Sequence, residues 1–176
     1  MKKFNHIVYF VIGLALLFSS CQRKVDVVKE KEAIRAVIDA EKQGYFDKDL
    51  GKMASTWVQG PSSVKMFMAQ KGETDLFGWD KISESSREEI AKIDSNYKNI
   101  HLEFSDFQFN IYESSAWAVF KAKWNWTYKE EQKNVEQTRI MAFEKVEGKW
   151  KTTLMAIYNV PAEKEEAQKN TEKGSK

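Results

Sequence analysis

The sequence predicts an α+β domain in the order α-α-β-α-β-β-β-β, with three N-terminal helices packed on one face of an antiparallel sheet. Three observations predict it. The first half carries apolar residues at helical spacing, with one strand-like run between helices two and three. The second half carries four long alternating segments joined by short polar turns, the pattern of a meander with one covered face. Helices that precede a run of strands, instead of alternating with them, mark α+β. A length of 176 residues, with 42% hydrophobic and 31% charged, suits one domain with tails and is too apolar for a disordered chain.

The elements follow in order. From Val28 to about Gln43, Ile34, Val37, Ile38 and Glu41 follow helical spacing, with Ala33, Ala36 and Ala40 between them, and Gly44 is the expected stop. Asp47 or Asp49 caps a second helix in which Leu50, Met53, Ala54 and Trp57 share a face. Gly60-Pro61-Ser62-Ser63 is a turn, Val64 to Gln70 a strand, and Lys71 to Asp75 a polar turn. A third helix begins near Gly78 and runs to about Ile93, with Trp79, Ile82, Ser86, Ile90 and Ile93 inward. The closing strands are Ile100 to Tyr112, Ala116 to Tyr128, Val135 to Val146 and Lys149 to Asn159. Lys129 to Asn134 forms a charged loop and Glu147-Gly148 a two-residue hairpin turn. Residues 162–176 hold charges and no large apolar side chain, and are expected to be a solvated tail.

The first twenty residues read as an address. Lys2 and Lys3 precede a twelve-residue apolar run, Ile7 to Phe18, broken only by Gly13. A membrane-spanning helix needs about 20 residues, so this is a secretory leader. Leu17-Phe18-Ser19-Ser20-Cys21 resembles the lipobox of bacterial lipoproteins and contains the chain's single cysteine. That resemblance implies cleavage before Cys21 and a lipid on its sulfur and its new amino group. Two or more acyl chains anchor a protein stably where one does not. The expected organisation is a lipoprotein signal peptide over 1–20, a tether over 21–27, a folded domain over 28–160 and a disordered charged tail over 161–176. Gln22, Arg23 and Lys24 follow the cysteine with no acidic cluster, which by the same resemblance places the protein in the cell envelope, facing the periplasm sooner than the cell surface.

Charge narrows the partners. The chain has 28 basic and 26 acidic residues, and the leader holds two lysines and no acid. The mature chain is therefore neutral, with no basic excess for nucleic acid and little long-range steering. One cysteine excludes an intrachain disulfide and a multi-thiolate zinc site, and two histidines offer no metal cluster. No metal and no cofactor is expected.

The folded segment resembles the NTF2-like superfamily, and within it the SnoaL-like and DUF4440-like bacterial proteins. The resemblance spans about residues 28–160. It rests on the paired N-terminal helices around Phe46-Asp47-Lys48-Asp49 and on Gly78-Trp79-Asp80-Lys81-Ile82 opening helix three. Asp106-Phe107-Gln108-Phe109 followed by Ala116-Trp117-Ala118, and the closing Phe143-Glu144-Lys145-Val146-Glu147-Gly148-Lys149-Trp150-Lys151, complete it. The resemblance implies a cone, in which a strongly curved sheet wraps the helices and leaves a pocket. Many relatives carry a His in the last strand; Ala156 and Tyr158 stand at the corresponding positions here, so chemistry that depends on that imidazole is not expected.

The candidates for function follow. His101 is out of phase with Leu102 and Phe104, which sets it toward solvent or a subunit. Asp106 is either a carboxylate in apolar surroundings, able to act as a base, or a bulge residue where the apolar phase of its strand shifts. Tyr97 and Tyr158 are the candidate acid or oxyanion donors beside it. Arg139 either enters the pocket, where it would clamp a carboxylate, or lies outside beside Lys121 and Lys123. Trp57, Met68, Trp79, Tyr97, Phe120, Trp124, Trp126, Met141, Leu154 and Tyr158 are the expected pocket lining, together with Arg139. In the segment from Ala116 the even positions are the inner ones, alanines toward one end and tryptophans toward the mouth. Burying an aromatic ring is worth roughly 4–6 kcal/mol as an upper bound, so most of the tryptophans must pack against protein and any pocket is narrow or filled by an apolar ligand. Trp117 and Val119 face outward and suggest a homodimer through the sheet exterior. The expected role is a lipid-anchored module that binds a small apolar ligand or serves as an accessory. A small isomerase- or dehydratase-like enzyme using a pocket carboxylate, and a protein-interaction subunit, are the alternatives.

Overall fold

The computed structural model describes residues 25–69 and 72–159. The expected leader, Cys21, most of the expected tether and the expected C-terminal tail lie outside the described residues. Three helices, α1 (Val27–Phe46), α2 (Leu50–Ser55) and α3 (Trp79–Ala91), accompany six strands. These are β1 (Val64–Ala69), β2 (Gly72–Phe77), β3 (Tyr97–Ile111), β4 (Ser115–Tyr128), β5 (Glu131–Val146) and β6 (Lys149–Asn159). They form one curved, unclosed sheet in the order β2-β1-β6-β5-β4-β3.

The four closing strands are the antiparallel meander expected from their alternation. Several features differ from the sequence reading. β1 runs parallel to β6, which makes the sheet mixed. The polar segment read as a turn is instead β2, an antiparallel partner of β1 at the sheet's edge. Gly-Glu-Thr-Asp-Leu-Phe has weak strand propensity, but an edge strand with charged side chains is how sheets discourage pairing with another chain. The expected charged loop after β4 also shrinks to Lys129-Glu130, both at positive φ, with Tyr128 and Glu131 closing the ladder. Glu147-Gly148 repeats the same two-residue geometry, matching the twist of the flanking strands.

Bulges bend β3. The register with β4 shifts between Lys98 and His101 and again between Ser105 and Gln108, with Asn99 and Asp106 at positive φ. Asp106 is thus the bulge residue at the phase change from Leu102 and Phe104 to Phe107 and Phe109. His101 is exposed and meets Glu103 at 2.9 Å.

The helices seat on the inner face. Ile34 and Ile38 of α1 are buried against Ala118, Phe120, Met141 and Phe143. The alanines Ala116, Ala118 and Ala122 are almost fully buried and give the helices room to approach the sheet. The Glu30 carboxylate ties the start of α1 to the β5–β6 hairpin, accepting from Lys145 Nζ and Trp150 Nε1 at 2.6 Å each. The Lys145 hydrogen bond is the main reason that carboxyl sits below its usual range. Lys31, Arg35 and Lys42 lie over the rings of Phe109, Phe107 and Phe104 in turn, closing the seam between α1 and β3.

Gly44 does not stop α1, which continues to Phe46 with Asp47 as C-cap. Its role is contact. A Cβ there would stand 2.8 Å from Met53 Cγ and 2.9 Å from the Met53 backbone nitrogen, so the missing side chain lets α2 close on α1. Asp49 caps α2 through Lys52 N at 2.9 Å, and Trp57 lies past its end, bridged to Thr152. Gly44→Ala should therefore destabilise the protein by about 1–3 kcal/mol through overpacking, although the helix propensity of Ala alone is worth about 1 kcal/mol in the opposite direction. A urea midpoint higher than that of the wild type would show that α2 does not seat there.

Candidate functional site

Side chains of one strand phase share a face, so register decides what enters the cone. Phe120, Arg139 and Ile157 lie in one cross-strand row, and Phe104, Ala122, Gln137 and Asn159 in another. Both rows run on the inner face. Toward the base this face is solid, filled by Phe120, Met141, Phe143 and Met155. Toward the other end it opens into a cavity of about 390 Å³, within the range of small-molecule sites.

Every layer of the fold contributes to the cavity. Helix α1 supplies Glu41, Lys42 and Tyr45, and α2 supplies Met53. Lys65 and Phe67 come from β1, Glu89 from α3, and Ile93 from just beyond it. β3 provides Tyr97, Ile100 and Leu102, and β4 Trp124 and Trp126. Val135, Gln137 and Arg139 on β5, with Met155 and Ile157 on β6, complete the wall. Tyr45 meets Trp124 edge to face, 5.7 Å between centroids.

One part of this wall is polar and buried. Arg139 is 6% exposed, Gln137 6% and Glu41 8%. Arg139 Nε and Nη2 donate to Gln137 Oε1 at 3.3 and 3.1 Å. Trp124 Nε1 donates to the same oxygen at 3.0 Å, and Gln137 Nε2 donates to Asn159 Oδ1 at 3.0 Å. The guanidinium carbon lies 5.5 Å from the centroid of Phe104 and 5.8 Å from that of Trp124. Lys65 Nζ is paired with the Glu89 carboxylate at 3.0 and 3.2 Å. Glu41 has no hydrogen-bond or ion-pair partner among the described residues. Burial pushes its carboxyl above the usual range, and the charges of Arg139 and Lys65 oppose that rise. Burial likewise lowers the Arg139 guanidinium from its ordinary value, and Glu41 acts to restore it. The Tyr45 phenol is pushed up to about 12, chiefly by burial.

The residues singled out from sequence fall into four places. Tyr97, Trp124, Trp126 and Arg139 come together at the cavity. Trp57, Phe120 and Met141 are buried in the core, and Trp79 packs on Trp57 at 6.2 Å. Met68, Leu154 and Tyr158 take the outer phase of β1 and β6, where Tyr158 is 46% exposed. Asp106 is exposed on its bulge, away from the cavity, and Ser105 Oγ donates to its Oδ2 at 3.4 Å. The polar residues of the wall not singled out were Glu41, Lys42, Tyr45, Lys65, Glu89 and Gln137. A signal existed for two of them: Glu41 sits on the apolar stripe of its helix, and Gln137 shares the phase of Met141 and Phe143, both anomalous places for polar side chains. Among the described residues no three His, Cys, Asp or Glu side chains converge as a metal site would need.

No family model and no curated protein matches the sequence. Solved structures do match. An NTF2-like superfamily protein from Salmonella enterica superposes with a TM-score of 0.63 at 13% identity, over 79% of this chain and 98% of that one. A proposed scytalone dehydratase from Novosphingobium aromaticivorans gives 0.63 at 14% identity, over 76% and 85%. A proposed dehydratase of the NTF2-like family from Streptomyces avermitilis gives 0.61 at 13%, over 76% and 98%. At such identities the likeness is one of fold.

Proposed function

We propose, from the NTF2-like fold that this chain shares with those structures, that its cone binds a small and largely apolar molecule. The observation that carries this reading is the 390 Å³ cavity, with aromatic and aliphatic walls and a few buried polar groups on one side. Pockets that bind small molecules have this composition. The leader and the lipobox-like sequence support a tether to the bacterial envelope through lipid on Cys21, with the domain on the periplasmic side. Native mass spectrometry of the mature protein from its host tests both halves. The expected spectrum shows a lipid mass on the N-terminal residue and a small molecule that leaves on activation. An unmodified Cys21 thiol removes the tether, and repeated absence of a companion mass, with no uptake of added apolar probes, removes the binding role.

A specific observation favours a second reading, an isomerase- or dehydratase-like enzyme. The carboxylate for it is Glu41, not Asp106: it is buried, lines the cavity and has its proton affinity raised, as a general acid or base requires. Two of the structural neighbours are named as proposed dehydratases. The sheet exterior supports self-association as well. Trp117 and Ile140 are 39% and 44% exposed there, and light scattering on the purified protein distinguishes a dimer from a monomer.

A further inference from the structure

The polar side of the cavity points to the chemical class of the ligand. Of the five N–H groups of an arginine, Nε and one of Nη2 form the side edge, and Nη1 with the other of Nη2 form the end fork. In Arg139 the side edge is taken by Gln137 Oε1. The end fork meets no acceptor among the described residues. Gln137 cannot serve it, because its oxygen already receives Trp124 Nε1 and its amide group is committed to Asn159. The guanidinium is thus held in one orientation by neighbours that are themselves satisfied, with aromatic rings on its flanks. A buried cation with open donors is costly unless something pairs with it.

We infer that the ligand of this cavity is a small apolar carboxylic acid, bound as its anion through two parallel hydrogen bonds from the end fork of Arg139. The inference rests on the ligand-binding reading above and specifies it. The fork of a guanidinium matches the two oxygens of a carboxylate. The other two cations of the wall are already paired, Lys65 with Glu89 and Lys42 with Asp39. The titratable and charged groups facing the site are Glu41, Lys42 and Tyr45 from α1, Lys65 from β1, Glu89 from α3 and Tyr97 from β3. Glu41 makes no ion pair with Arg139. Burial disfavours the charged form of Glu41, and no hydrogen bond joins its carboxyl to the guanidinium among the described residues. Leu102, Trp126, Val135, Met155 and Ile157 provide the apolar wall for the body of the acid. A volume of 390 Å³ is at the small end for ligand sites, which favours a single-ring or short-chain acid.

The test compares benzoate and cyclohexanecarboxylate with benzamide and benzyl alcohol on the purified mature protein. Fluorescence of Trp124 and Trp126 and calorimetry at pH 7 provide the readouts. The acids are expected to bind at least tenfold more tightly than the neutral probes. Arg139→Gln should abolish that preference, and Arg139→Lys, which keeps the charge without the fork, should restore only part of it. If neither variant folds, the comparison of acids with neutral probes on the wild type decides alone. Neutral probes that bind as tightly as the acids overturn this inference and leave the ligand-binding reading standing. Failure of every probe to bind overturns both.

Discussion

Phe120→Ala is expected to destabilise the protein by about 3–5 kcal/mol, a large share of the roughly 5–15 kcal/mol that holds a typical domain together. Phe120 is 1% exposed. Its ring stacks on Phe107 at 4.7 Å and meets Phe104 edge-on at 5.1 Å. It also sits in the cross-strand row of Arg139 and Ile157. The surrounding rings are held by the β3 bulges and by α1, so collapse into the space left behind is limited and the cavity term stays large. Chemical denaturation reads the change, and a loss below about 1 kcal/mol would show that the base of the cone is not packed in this way. Trp117→Ala, at a position 39% exposed on the outer face, is the contrasting control and should cost far less in a monomer.

Glu41→Gln is expected to change how stability depends on pH. In the unfolded chain Glu41 titrates near its ordinary 4.5, and in the folded protein it titrates higher because burial disfavours the charge. Below 4.5 both states carry the proton and the group contributes no pH dependence. As pH rises from there, the unfolded chain releases its proton first. Folding then becomes less favourable by up to about 1.4 kcal/mol per pH unit, until the folded carboxyl ionises as well. Glutamine has no proton to lose. The variant should therefore match the wild type in acid and gain on it steadily above pH 4.5. Arg139, Lys65, Glu89 and Tyr45 remain in both proteins, so the difference between the two profiles isolates Glu41. Parallel profiles across that window would show that the folded carboxyl ionises like an exposed one.

Both predictions fall on residues that the sequence treats unequally. Phe120 lies in the even phase of an alternating strand, and period-two alternation suffices to place it inside. Glu41 belongs to the helical stripe of Ile34 and Ile38, yet its charge hides its place in the interior. The strand phases, the Glu147-Gly148 turn, the Asp106 bulge and the outward Trp117 were all readable locally, because each follows from side-chain alternation or turn chemistry within a few residues. The β2 strand was not readable, because an edge strand needs neither apolar residues nor strong propensity, only a partner. Gly44 was misleading for a related reason: what it permits is an approach by Met53, and that contact exists only once the second helix has turned back.

By itself the sequence determined the fold class, the order of the main elements apart from β2, and the inner phase of β4. Hydrophobic periodicity is a local property and survives translation into structure without knowledge of neighbours. Only the tertiary structure decided which side chains surround the cavity. That choice depends on strand register, on two bulges in β3 and on the parallel seating of β1 against β6. A slip of one residue by β5 against its neighbours would exchange Arg139 for its outward neighbours. Pairs such as Trp124 with Gln137 or Lys65 with Glu89 are made by elements distant in the chain, and no local pattern encodes them. The open fork of Arg139 is a property of that assembled wall, set by which acceptors the fold brings near it and which it leaves away.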